Sequence, residues 1–98
     1  NQCSMTSMQK RLLCQVFGRV QMVMFRDFVK RAAWARGVVG SVKNNIDGSV
    51  SIVAEGEEVK LRELLVLAHR GSMFARVDSV EEKWSAPLGE YKSFDILY

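Results

Sequence analysis

The residues best suited to chemistry form one run, Gly18-Arg19-Val20-Gln21-Met22-Val23-Met24-Phe25-Arg26. It leaves an apolar segment with strand-like alternation and enters one with helical periodicity, so a short turn must join a strand to a helix N-terminus. Such a junction presents backbone N–H groups that have no internal acceptor, and the helix dipole adds positive potential there. An arginine in the first helical turn, Arg26, can fold back over the opening and offer a planar fork of donors. Together these features describe a cradle for a phosphate or a carboxylate. Met22 stands where the curvature of the turn would most favour glycine.

No second constellation competes with this run. His69 is the only histidine, and beside Arg70 it suits the last turn of a helix, where a cation complements the dipole. Cys3 and Cys14 are the only cysteines and read as two unrelated reduced thiols. The sequence contains no Cys/His cluster with zinc spacing and no glycine-rich nucleotide pattern, so neither a metal nor a cofactor is expected. Glu55, Glu57 and Glu58 gather where a helix should begin and are expected to complement its dipole.

The elements that must position these residues are legible in the periodicity. Residues 11–17 alternate as a strand, with Leu12, Cys14 and Val16 on one face and Leu13, Gln15 and Phe17 on the other. Over residues 25–36 the apolar positions Phe25, Phe28, Val29, Ala32 and Ala33 make one helical face, and Gly37 stops that helix. Strands are expected at 38–45 and 49–54, joined by a tight turn through Asn45-Ile46-Asp47-Gly48. A second helix spans 57–70 through Leu61, Leu64, Leu65 and Ala68, ending at Gly71. A fourth strand covers 75–84, with Glu82 where the alternation calls for an apolar residue, and Phe94, Ile96 and Tyr98 alternate again as a short terminal strand. The expected fold is α+β, a split β-α-β arrangement of order β-α-β-β-α-β with an antiparallel sheet, both helices on one face and a short extra C-terminal strand.

Composition narrows the class of partner. Apolar residues make up 48% of the 98, but they are dispersed, so no segment is long enough to span a bilayer and no signal-peptide core stands out. Residues 10–98 are read as one domain, cytoplasmic and monomeric, and residues 1–9, which lack any period, as a frayed tail or a remnant of expression. A net charge of +3 with both signs mixed suits a small anionic ligand. It lacks the dense basic stripe with interleaved aromatics of a nucleic-acid binder, and neither nucleic acid nor membrane is expected as a partner.

The blocks GRVQxVxFR, GxVKN, DGSV, AEG and ARVDSV, in this order and at these separations, resemble the acylphosphatases over residues 11–98. The resemblance implies the ferredoxin-like fold and the metal- and cofactor-free hydrolysis of acyl phosphates to a carboxylate and inorganic phosphate. It implies that Arg26 holds the phosphate, that the backbone N–H groups of Gly18, Arg19, Val20, Gln21, Met22 and Val23 cradle it, and that Asn44 positions the attacking water. Taken alone, Asn44 could equally start the hairpin turn, and Arg19 and Gln21 read as loop-shaping or rim residues. Two positions depart from the family pattern: Met22 replaces a glycine and Ser41 a bulky aromatic. At positive φ, Met22 would cost about 1–2 kcal/mol and could turn an amide from the phosphate. The alternative expectation is therefore a catalytically impaired anion-binding or interaction domain. No acyl-pocket residues stand out, which predicts broad tolerance of the acyl group. A free-standing domain is expected, as opposed to the N-terminal part of a larger carbamoyl-phosphate-handling hydrogenase maturation protein.

Overall fold

The computed structural model describes residues 8–21 and 24–98. Strand β1 (Gln9–Arg19) owes its central place to its alternation: Leu12, Cys14 and Val16 are buried on one face, while Leu13, Gln15 and Phe17 are half-buried on the other. It pairs antiparallel with β3 (Val50–Glu57) on one side and β4 (Arg76–Ser85) on the other. Strand β2 (Val39–Asn44) pairs antiparallel with β3 across the turn at 45–49, and β5 (Phe94–Leu97) adds to the outer edge of β2, giving the order β4-β1-β3-β2-β5. The four strands of the split β-α-β core are antiparallel to their neighbours, as expected. The terminal strand runs parallel to β2 and makes the sheet mixed. Chain direction explains this: β4 ends level with Arg11, at the end of the sheet where β2 begins, so a strand entered from there must run with β2.

Helix α1 (Phe25–Ala35) lies over β2 and β5, and α2 (Glu58–Arg70) lies over β4, β3 and β1. Both bury their apolar stripes in one core: Phe25, Val29, Ala32 and Ala33 from α1 and Leu61, Leu64, Leu65 and Ala68 from α2 meet Leu12, Val16, Val42, Ile52 and Phe94. Fully burying the valine, leucine, isoleucine and phenylalanine side chains among these contributes about 1.5–3 kcal/mol each. At the end of α1, Gly37 has φ 67, which lets its N–H reach Trp34 O and the N–H of Val38 reach Ala33 O, a Schellman cap. Helix α2 ends at Gly71, whose N–H donates to Leu67 O at 2.9 Å, with His69 and Arg70 exposed in the last turn.

Two expectations change meaning here. Glu55 belongs to β3, not to the start of α2. It is buried, pairs with Arg11 Nη1 at 2.8 Å, and accepts the backbone N–H groups of Leu88 and Gly89 at 2.9 and 3.1 Å. Burial pushes its carboxyl up, but the N–H of Leu88, the Arg11 guanidinium and the N–H of Gly89 outweigh this and hold it below the usual glutamate range. Glu55 thus ties down the chain between β4 and β5. Glu58 does sit in the first turn of α2 and pairs with Arg62 at 2.8 Å. Glu82 lies opposite Cys14, but on an edge strand that leaves it exposed, and it accepts the Trp84 indole N–H at 2.9 Å. Burial, then the Glu82 charge, pushes the Cys14 thiol up to about 12, in keeping with a reduced, inert side chain. Cys3 lies outside the described residues, as does most of the expected N-terminal tail.

Candidate active site

The C-terminal ends of β1, β2 and β5 and the N-terminus of α1 share one end of the molecule. Gly18 starts the turn. The pairing of β1 with β4 shifts register between Phe17 and Gly18, and Gly18 adopts φ 130 with its backbone pressed against that of Arg76 and Asp78, leaving no room for a Cβ. Val20 is 1% exposed and pins the loop into the core. Gln21 then donates from Nε2 to Asn45 O at 2.8 Å and to Ser49 O at 2.9 Å, binding the loop to the β2–β3 turn.

Met22 and Val23 lie outside the described residues. The non-glycine residue with positive φ among those described is Met24, at φ 59 and ψ 22, where left-handed backbone costs about 1–2 kcal/mol. Met24 is the N-cap of α1 and makes no side-chain cap bond. Phe28 N–H donates to Met24 O at 3.0 Å, and among the described residues no acceptor is seen for the N–H groups ahead of it, the pattern of a helix N-terminus. Arg26, half-buried in that turn, lines a cleft of about 560 Å³ with Val20, Lys30, Ile96 and Tyr98, and its guanidinium lies 4.9 Å from the Tyr98 ring centroid. No carboxylate pairs with Arg26 among the described residues.

Asn44 ends β2 in the row that carries Val50 and Val16, the row facing the helices. Its Oδ1 is buried and has no hydrogen-bond partner among the described residues. A buried acceptor left open costs about 1–3 kcal/mol unless a donor reaches it, so this atom calls for a water or a ligand group. The turn itself is built by Asn45. Its N–H donates to Ser49 O at 2.8 Å, and its Nδ2 donates to Ser49 Oγ and Ser51 Oγ at 2.9 and 2.7 Å. Asp47 Oδ1 accepts from Ser49 N–H and Oγ, and these bonds hold its carboxyl below the ordinary value. Asn44 is thereby left out of the turn's hydrogen bonding.

Arg26 lines the cleft with Val20 and Tyr98, Asn44 lines a hollow with Gln15, Asn45 and Ser51, and no hydrogen bond joins the two side chains among the described residues. Tyr98 relates them: it lies under the Arg26 guanidinium, and one step beyond the Lys43–Leu97 pair the register brings it level with Asn44. Arg19 faces elsewhere, into a groove of about 870 Å³ whose walls include Met24, Phe28, Leu67, Met73 and Phe74. Sequence reasoning misses this groove because Phe28 looks like a core position on its helix and Leu67 stands outside the apolar stripe read for the second helix. The tight turn through Asn45-Ile46-Asp47-Gly48 is where the sequence places it, and what the spacing does not reveal is the reach of the Asn45 side chain to Ser49 and Ser51.

The family model described as Acylphosphatase matches residues 13–96. An acylphosphatase of Caldanaerobacter subterraneus subsp. tengcongensis is 42% identical over 89 residues, covering 91% of this chain and 99% of that one. The crystal structure of acylphosphatase from Bacillus subtilis superposes with a TM-score of 0.86 at 38% identity, over 93% of this chain and 100% of the other. The structure of full-length HypF in its phosphate- and nucleotide-bound form matches 97% of this chain but only 12% of its own, with a TM-score of 0.83 at 26% identity. The two-helix, ferredoxin-like α+β sheet is the architecture these structures share with the chain. The chain belongs to the acylphosphatase family.

Proposed function

We propose that this protein hydrolyses the carboxyl–phosphate bond of acyl phosphates, with Arg26 and the backbone N–H groups of residues 18–23 holding the phosphoryl group and Asn44 positioning the water. An acyl phosphate is an activated mixed anhydride whose carboxylate leaves readily. As the water oxygen bonds to phosphorus, the bond from phosphorus to the acyl oxygen breaks, the carboxylate departs with its electron pair, and the water proton passes to the phosphate product or to solvent. Charge spreads over the equatorial oxygens in the transition state, where preorganised amides and a guanidinium are most effective. Holding the water in line supplies the remainder as avoided entropy loss, so no metal or strong protein base is required.

The observation that carries the reading is Asn44 Oδ1, a buried acceptor without a partner among the described residues, at the end of the sheet where Arg26 has no carboxylate partner. The same reading takes residues 10–98 as one unit acting as a cytoplasmic monomer on a diffusible substrate. The modest, mixed charge of +3 supports it. The test is hydrolysis of acetyl and benzoyl phosphate by the purified chain, with inorganic phosphate as competitor and a chelator present. Saturable turnover inhibited competitively by phosphate is expected; a rate no higher than background would overturn the proposal.

A further inference from the structure

We infer that Lys30 is a further catalytic residue, whose ammonium meets the negative charge that develops on the acyl oxygen as the carboxylate leaves. The inference rests on the acyl phosphate reading above. In that reaction Arg26 and the loop serve the phosphoryl group and Asn44 serves the water, which leaves the departing carboxylate to be met by another group.

Three observations support it. First, Lys30 follows Arg26 by four residues on α1, is half-buried like it, and lines the same cleft, which Val20, Phe25, Ile96 and Tyr98 also border. Residues four apart on a helix share one face, so the cleft carries a guanidinium near the loop and an ammonium one turn further along the seam between α1 and β5. Second, neither cation is engaged by a carboxylate. Asp27, the acidic residue of the cleft, pairs with Arg31 at 2.9 Å, and no carboxylate pairs with Lys30 or Arg26 among the described residues. Two such cations suit a ligand that is negative in two places, as an acyl phosphate becomes when its phosphoryl group and its carboxylate part. Third, Lys30 is held by an aromatic face. Its Nζ lies 4.6 Å from the Trp34 ring centroid, and Trp34 Nε1 donates to Phe94 O at 3.0 Å, which fixes the indole against β5. A ring face steadies the cation and leaves the donors turned from it open to an anion. The bond from phosphorus to the acyl oxygen breaks as the water oxygen bonds to phosphorus. Its electron pair goes to the carboxylate, which forms an ion pair with Lys30, and Lys30 gives up no proton.

The test is the single-turnover rate constant for chloroacetyl, methoxyacetyl and acetyl phosphate, which are similar in size and release progressively weaker acids. It is measured in the native chain, in Lys30→Gln and in Lys30→Arg. Lys30→Gln should slow acetyl phosphate by about twentyfold but chloroacetyl phosphate by about threefold or less, because the stronger acid leaves with less help. Lys30→Arg, which keeps the charge and can stack on Trp34, should restore the native dependence on leaving-acid strength. Phosphate should inhibit both variants within about twofold of native. A slowing equal for all three substrates would make Lys30 merely structural and overturn the inference, and so would the absence of any slowing. A weakening of phosphate inhibition that matches the loss of rate would put Lys30 in the phosphate cradle and overturn it too. Failure of the native chain to hydrolyse any of the three substrates sinks the functional proposal, whereas native hydrolysis indifferent to Lys30 sinks only its role toward the leaving group.

Discussion

Arg26 and Asn44 bear opposite kinds of incompleteness: one is a cation with no described carboxylate partner, the other a buried oxygen with no described donor. Their loss should therefore read differently. Arg26→Ala is expected to raise the inhibition constant for phosphate and lower kcat together, by about 100-fold or more in turnover. Asn44→Ala should lower kcat and leave phosphate inhibition within about twofold of native. Equal weakening of phosphate binding in both variants would contradict this division of labour. Both residues are legible in the sequence because they stand in ordered motifs, but the strain is not. The expected strain at Met22 lies outside the described residues, and among those described the positive φ falls on Met24, whose residue type gives no sign of it.

Among the elements, the crossing from β4 to β5 depends on a side chain from neither. Glu55 on β3 receives two backbone N–H groups from that crossing and the Arg11 guanidinium from β1. Because its carboxyl is held below the usual range, its contribution is full at neutral pH and fades as the pH falls through the folded-state value. Glu55→Gln should lower stability by about 1–3 kcal/mol at neutral pH, and the gap to the native chain should close in acid. Urea midpoints measured across that range decide it; a gap constant with pH would show that the charge contributes nothing. From sequence, Glu55 is indistinguishable from its neighbours Glu57 and Glu58. Its role depends on residues more than thirty positions away, and periodicity reports only local partners.

For the whole molecule, the order of elements follows from alternation and helical spacing, and Leu12, Val42 and Ile52 fall on the core face as their periods require. The parallel docking of β5 and the joining of Met24, Phe28, Leu67 and Phe74 into one groove are long-range outcomes, set when the two layers close. Within the sheet, a seam without slack lies where Gly18 meets Arg76 and Asp78, as another does where Gly40 meets Val53. Gly18→Ala should cost about 2 kcal/mol or more and reduce turnover as well, since the seam and the loop begin at the same residue; a urea midpoint near native would contradict it. The obstruction, however, is one of chirality. An L-residue at φ 130 aims its methyl into the neighbouring strand, while D-alanine at position 18 accepts that backbone and directs its methyl away from the side on which the clash occurs. The mirror-image residue, introduced by chemical ligation, should thus preserve a loop that the natural enantiomer disrupts.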